Sequence, residues 1–190
     1  MSFWGKIVAP CLAAAVLCGC SSTDAAPPEQ SPMKGPDLCN ALRGKEPEIE
    51  KILAGQRVEE YREGFNDPRG TWVSCDVDLA IDNGQSSAPR SSATFVVKDP
   101  FQDDLNRLLD SAFTKRYSEP PAVHPHEPVP GLGEGAAFGI DPESSSLVRG
   151  VKLAVVGKVR GKRKVVELTT NTKGVTLEHT RQLALLLLDR

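Results

Sequence analysis

The sequence is poor in the residues that often carry catalysis or bind metals. Histidine occurs three times, and aromatic residues make up 5% of the 190 residues. No apolar run reaches the roughly 20 residues that a membrane-spanning helix needs. The formal net charge of −2 does not support nucleic-acid binding. No Gly-x-Ser-x-Gly occurs, and residues 131–135 lack the Lys-Ser/Thr of a phosphate loop, so we predict neither a catalytic motif nor a cofactor.

The N-terminal segment, residues 1–19, has the organisation of an export signal. One cation, Lys6, precedes an apolar run at residues 7–17. Eleven helical residues measure about 16 Å, whereas a hydrocarbon core is about 30 Å thick, so the run has the length of a signal-peptide core. Residues 17–20, Leu-Cys-Gly-Cys, then resemble the bacterial lipobox, in which the cysteine after the cleavage site is acylated. Cys20 fits that role because a small residue precedes it.

This pattern predicts a lipoprotein that is cut before Cys20 and carries a diacylglyceryl group on that cysteine. Two acyl chains anchor a protein stably where one does not. We therefore expect a domain held by its lipid on the outer face of the cytoplasmic membrane. The alternatives are an ordinary secretory signal, which would leave Cys20 free, and a buried element with incidental cysteines.

The remaining cysteines suggest a disulfide. Of the five in the chain, Cys11 and Cys18 leave with the signal and Cys20 carries lipid, so Cys39 and Cys75 remain. An isolated pair in an exported protein is more often a disulfide than a metal site or a redox couple. Two buried free thiols are the alternative.

We divide the mature chain into a disordered tether, residues 20–36, and one domain, residues 37–190. The tether is rich in Pro, Ser and Ala and has no periodicity. Asp37 can cap a short helix, and a second short helix follows near residue 47.

Hydrophobic periodicity predicts the remaining elements of the domain. Period-two alternation and turn signals predict strands at 71–82, 92–98, 136–140, 147–159 and 164–170. Asp99 and Thr176 can cap amphipathic helices at 100–116 and 177–189. The fold class is α+β, with a mainly antiparallel sheet covered by the two amphipathic helices as a two-layer or sandwich arrangement.

Several features recur together in this chain: the lipobox, the tether, residues 36–42 (Pro-Asp-Leu-Cys-Asn-Ala-Leu), a second cysteine in a strand, and residues 129–136 (Val-Pro-Gly-Leu-Gly-Glu-Gly-Ala). In this combination the chain resembles the uncharacterised actinobacterial lipoproteins of the DUF3558 type. The resemblance implies that the two cysteines pair and that the fold is similar to small PsbP-like α+β domains. This chain differs from the family pattern at two places. Leu38 precedes the first cysteine where proline is usual, and Trp72 precedes the second cysteine where a tryptophan usually follows. The resemblance also implies an envelope location and no established activity.

Three groups of polar residues are candidates for chemistry. His124 and His126 supply only two local metal ligands, so an exposed loop is the better interpretation. Asp76 and Asp78 share a strand face, which suits acid/base work but is better explained as a solvated face. Five cations crowd the predicted hairpin and suggest contact with anionic headgroups or wall polymers, although a solubilising hairpin tip is favoured. They are Lys158, Arg160, Lys162, Arg163 and Lys164.

These observations favour a non-enzymatic, membrane-anchored protein that binds a ligand or a protein partner in the cell envelope. The alternative is a structural or accessory subunit of a membrane complex or transporter. An enzyme acting on the cell wall is the third and weakest hypothesis. The expected partners are the membrane, through the lipid, and an unidentified envelope molecule, but not nucleic acid.

Overall fold

The computed structural model describes residues 33–53, 55–80, 91–115, 120–144 and 149–189. The predicted signal peptide, Cys20 and the predicted tether up to residue 32 lie outside these described residues. Among the residues described, no helix combines the length and the apolar character needed to cross a membrane.

An antiparallel sheet of seven strands forms the centre of the described fold. Its strand order is β1-β2-β3-β9-β8-β7-β6, and every neighbouring pair is antiparallel. The strands in chain order are β1 Val58–Asn66, β2 Trp72–Leu79, β3 Ser92–Lys98, β4 Thr114–Lys115, β5 Ala122–Val123, β6 His126–Pro128, β7 Gly135–Ile140, β8 Val151–Val159 and β9 Lys162–Thr170. The short strands β4 and β5 pair with each other outside the main sheet.

Four helices cover the sheet within the described ranges. They are α1 Gly35–Arg43, α2 Glu46–Ile52, α3 Leu105–Ala112 and α4 Leu177–Leu185. The apolar residues of α1, α2 and α4 share one core with the odd-numbered side chains of β2 and β3, such as Val73 and Phe95. α3 packs on the opposite face against Ala154, Val156 and Val165. The predicted α+β class is confirmed, and the two long predicted helices lie on opposite faces of the sheet.

Regular packing begins earlier than the predicted start at residue 37. α1 starts at Gly35, and Met33 already lies in the core with 6% of its surface exposed. Pro36 takes an early helical position, where its missing N–H costs nothing. Asp37 is therefore inside the helix, where its carboxylate accepts the backbone N–H of Lys34 at 3.0 Å.

A disulfide joins α1 to the second strand. Cys39 and Cys75 are bonded, with their Cα atoms 5.3 Å apart, and both side chains are buried. The predicted pairing of the two cysteines is present, and it fixes the first helix to β2.

The helix predicted to start after Asp99 begins five residues later. The Asp99 N–H donates to the carbonyl of Thr71 at 2.7 Å, which prolongs the pairing of β2 and β3, and its carboxylate is held by Lys164. Asp104 caps α3 instead, accepting from the N–H of Arg107 at 3.1 Å. Phe101, which lies in the first turn of the predicted amphipathic helix, is 64% exposed as a result.

Candidate functional site

The face of the sheet opposite α1, α2 and α4 is unevenly covered. Over β7, β8 and β9 it is apolar and packs against α3, whereas over β1, β2 and β3 it carries polar side chains. Alternation along the strands explains this, because Val73 and Val77 point to the core while Asp76 and Asp78 point the other way. We call this side the polar face.

A charge cluster of Lys98, Asp141, Lys152 and Glu167 lies where the polar and apolar halves meet. The Glu167 side chain is 6% exposed and forms ion pairs with Lys98 and, at 3.3 Å, with Lys152. The Lys152 ammonium also lies 3.7 Å from the Asp141 carboxylate and donates to the carbonyl of Ala112 at 3.0 Å. Two lysines thus face two carboxylates, and the cluster is neutral overall.

Opposing effects act on the Glu167 carboxyl. Burial alone would raise its pKa, because the charged form loses water. The ammonium groups of Lys98 and Lys152 outweigh burial, and the pKa lies below its usual range. Glu167 is therefore a permanent anion at neutral pH that holds two lysines in place, not a proton donor.

A groove opens beside this cluster, between α3 and the ends of β2 and β3. We call it the aromatic groove; it has a volume of about 470 Å³ and is lined by Thr71, Trp72, Lys98, Asp99, Pro100, Phe101 and Ser111. Phe101 and Pro100 come from the segment that replaces the first turn of the predicted helix. Lys98 joins the groove to the charge cluster, so its ammonium is already fixed in position by Glu167.

A second, more polar cavity of about 360 Å³ lies at the other end of the polar face. It is lined by Ser92, Thr94, Asp141, Glu143, Ser144, Gly150, Thr169, Thr170 and Asn171. The charge cluster lies between the two cavities, since Lys98 lines the first and Asp141 the second.

The predicted acid pair is present on one face, but each carboxylate has a partner. Asp78 is buried and bonded to the Arg62 guanidinium at 2.8 Å. Asp76 accepts the hydroxyl of Thr94 at 2.6 Å. These contacts tie β1, β2 and β3 together, so the pair is better explained as structural than as a solvated face or an acid/base site.

The predicted basic cluster divides into two groups. Lys158, Arg160 and Lys162 are exposed at the β8–β9 turn. Lys164 is buried and ion-paired with Asp99, and Arg163 binds Glu134 at 2.7 Å as well as Asp103. The division follows from the neighbouring acids, because Asp103 and Glu134 lie beside Arg163 and Asp99 lies beside Lys164. Only the exposed group is placed to meet a surface.

The histidine pair of the sequence lies in the connection before and within β6. The ring of His126 stacks on Phe113 with centroids 4.6 Å apart, and its Nε2 lies 3.2 Å from the Asp110 carboxylate. Its Nδ1 lies 3.0 Å from the backbone carbonyl of His124. His126 therefore packs against α3. In the described ranges, no three His, Cys, Asp or Glu side chains come together in a way that could hold a metal ion.

The glycine-rich segment, residues 131–135, forms a tight turn against β8. Gly131 and Gly133 have φ values of +70° and +60°. A Cβ on Gly133 would lie 2.4 Å from the carbonyl oxygen of Val156. The segment is therefore a tight turn whose backbone lies close to that of β8.

Sequence reasoning missed Lys98, Phe101 and Glu167 as site residues. One signal was present, because Glu167 interrupts an apolar run, with Val165 and Val166 before it and Leu168 after it. A charged residue in a central strand is buried unless its face is open, and a buried charge needs a partner. The position of Phe101 required the true start of α3.

Comparison of the chain with protein-family models, curated proteins and solved structures found no match in any of the three.

Proposed function

We propose that the chain is a lipid-anchored protein of the outer face of the cytoplasmic membrane, and that its α+β domain binds a small ligand in the aromatic groove. The lipobox-like residues 17–20 and the Cys39–Cys75 bridge support the exported location. The resemblance of residues 17–20, 36–42 and 129–136 to the uncharacterised actinobacterial lipoproteins supports the same location.

The groove is the observation that carries ligand binding. Its volume lies within the range of small-molecule sites, which combine apolar walls with a few fixed polar groups. Trp72, Pro100 and Phe101 supply the apolar surface, while Thr71 and Ser111 supply hydroxyl groups. The ligand that fits is a small molecule with an aromatic or apolar body and hydrogen-bonding substituents.

A non-enzymatic role agrees with the electrostatics. Among the residues that the structure describes, the carboxyl groups with a clearly shifted pKa are Asp67 and Glu167, and both pKa values are lowered by partners that favour the anion. A general acid in a cleft requires the opposite shift. We therefore propose binding, not wall hydrolysis.

Binding of the neutral probe N-phenylnaphthylamine tests the groove. We expect Phe101→Ala to weaken binding about tenfold, since burying part of a phenyl ring contributes roughly 1.5 kcal/mol. The matched control is Ile140→Ala, which shortens another exposed apolar side chain (49% exposed) at the opposite end of the sheet. Equal affinities of the two variants would remove the groove as the site.

Labelling with radioactive palmitate tests the anchor separately. The wild-type chain should take up label and fractionate with membranes, and Cys20→Ser should do neither. Unchanged labelling or fractionation of the variant would contradict the lipoprotein assignment.

A second candidate, an accessory subunit that docks a protein, is favoured by α4. Leu177 and Leu185 are 37% and 47% exposed, and a groove of about 520 Å³ separates α4 from α2. Photocrosslinkers at 101 and 185 in whole cells distinguish the candidates. A small-molecule adduct from position 101 supports the first, and a discrete protein adduct from position 185 supports the second.

A further inference from the structure

One end of the sheet collects several strand ends together with the beginning of the described chain. β1 ends there at Asn66, β2 begins at Trp72 and β3 ends at Lys98. The β8–β9 turn projects beyond the same end, because Lys98 is opposite Val165 and β9 begins three residues earlier. We call it the aromatic end.

The chain enters the domain at this end. Gly35 lies against Asn66, since a Cβ on Gly35 would be 3.3 Å from that side chain. Met33, two residues before it, is buried in the core. The described chain therefore begins at the aromatic end, and the thirteen residues from Cys20 to residue 32 precede it in the sequence.

Aromatic side chains lie around the place where the described chain begins. Phe65 is 59% exposed and packs on Trp72 with ring centroids 5.1 Å apart. Phe101, on the rim of the aromatic groove, is 64% exposed. All three lie next to the terminus of a strand, where Phe65 and Phe101 are exposed and Trp72 is half-buried.

The cations at this end are balanced locally only in part. Arg163 engages Glu134 and Asp103, and Asp67 engages Thr71 and Arg69. At the hairpin tip, the Asp189 carboxylate accepts hydrogen bonds from the backbone N–H groups of residues 160 and 161 at 3.0 and 2.6 Å. The side chains of Lys158 and Arg160 project into solvent from this tip.

We propose that the aromatic end is the surface by which the domain lies on an anionic lipid bilayer. This inference rests on the proposed lipid anchor at Cys20. As the flexible coil that its composition predicts, a tether of thirteen residues has a root-mean-square reach of about 20 Å. The opposite end of the sheet is a nine-residue strand, about 30 Å, further away. Aromatic rings prefer the headgroup region, and cations are attracted to anionic headgroups. The tether thus presents to the membrane the end that carries both.

Trp72 is a natural probe of this contact. The chain has two tryptophans, and Trp4→Phe leaves Trp72 alone whether or not the signal is cleaved. The lipidated protein is reconstituted in phosphatidylcholine vesicles containing phosphatidylglycerol, and quenching by brominated lipids is measured. We expect Trp72 to be quenched at least twofold more than a control tryptophan placed by Ile140→Trp in a chain with Trp4→Phe and Trp72→Phe. Equal quenching at the two ends overturns the proposal.

Charge variants test the basic contribution. Lys158→Gln with Arg160→Asn removes two cations from the tip, and asparagine suits the φ of +52° at residue 160. Arg57→Gln with Lys173→Gln is the matched control, because both cations are exposed at the opposite end. We expect the tip variant to lower binding of the unlipidated Cys20→Ser chain to anionic vesicles by about tenfold or more, and the control to change it less than threefold. Equal losses would contradict the contact.

The two proposals fail in different ways. If mass spectrometry finds no lipid on Cys20, the anchor is refuted. The binding of that chain to vesicles still tests the aromatic end. Binding to isolated wall polymers that exceeds binding to the anionic vesicles, with the same tip dependence, would assign the surface to the wall and refute the bilayer.

Discussion

At the residue scale, Glu167 is a buried charge that is constrained by two partners. It lies in a central strand between two apolar neighbours and holds the ammonium groups of Lys98 and Lys152. Burial of such a group costs several kcal/mol, which the partners must offset. Its removal therefore affects two lysines as well as the glutamate.

Glu167→Gln should lower the free energy of unfolding by about 3 to 5 kcal/mol, because it leaves two lysines without their shared anion. Urea denaturation measures the loss. The control is Glu63→Gln on the exposed surface of β1, for which we expect a change below about 0.5 kcal/mol. Similar effects of the two substitutions would contradict the importance of the cluster.

The depressed pKa of Glu167 also predicts acid sensitivity. A carboxyl with a folded-state pKa below its unfolded value of about 4.5 stabilises the fold fully above that value. The contribution is lost as the pH falls through the folded pKa. The slope of stability against pH in this acidic range should therefore be shallower in Glu167→Gln than in the wild type, and identical slopes would count against the assignment.

Tyr61 predicts an effect at the opposite extreme of pH. Burial and the nearby Glu46 carboxylate raise the pKa of its hydroxyl to about 12, although Arg43 acts in the other direction. Stability from this group is present below the usual tyrosine pKa of 10 and lost as the pH rises through 12. Tyrosinate absorbance should show a late component that Tyr61→Phe removes and Tyr117→Phe retains.

At the element scale, local signals identified most strands but misplaced the start of one helix. The sequence places a good cap and a proline at residues 99 and 100, yet Asp99 continues the pairing of β2 with β3 and binds Lys164. Asp104 offers the same capping chemistry five residues later. Tertiary pairing decides between two equivalent caps, and no local pattern contains that information. The aromatic groove depends on this choice, since Phe101 lies between the two.

The turn before β7 should be far less tolerant than the hairpin turn. Gly133→Ala brings a methyl group against the Val156 carbonyl and adds left-handed strain, so we expect a loss of about 3 kcal/mol or more. Gly161→Ala has a similar φ of +73° but nothing within 4 Å, so the strain alone, about 1 to 2 kcal/mol, should remain. Thermal unfolding of the two variants measures the difference, and equal losses would exclude the steric part.

At the scale of the whole molecule, the class and the cysteine pairing follow from the sequence because both depend on simple patterns. Period-two alternation requires a sheet with a buried face, and the two cysteines that remain after the predicted signal and lipid site are set aside allow only one bridge. The position of helices on both faces could not be predicted, since it depends on which side of the sheet each amphipathic stripe meets. The charge cluster was missed for a related reason, because Lys98, Lys152 and Glu167 come together only through strand order.

The bridge should contribute strongly to global stability. Cys39 and Cys75 are separated by 36 residues. Closing such a loop lowers the entropy of the unfolded chain, and this stabilises the fold by about 4 kcal/mol. Chemical unfolding with and without reductant should reveal this difference. The double variant Cys39→Ser with Cys75→Ser should match the reduced wild type and respond to reductant no further.

The two outer strands of the sheet also affect how copies of the chain behave when they are crowded together. β6 has three residues and ends in Pro128, which offers no N–H for a neighbouring strand. β1 is longer, but its register shifts twice along β2, and Glu59, Glu60 and Glu63 line its exposed surface. Such irregular and acidic borders resist edge-to-edge aggregation, so a densely populated layer of these domains should remain dispersed.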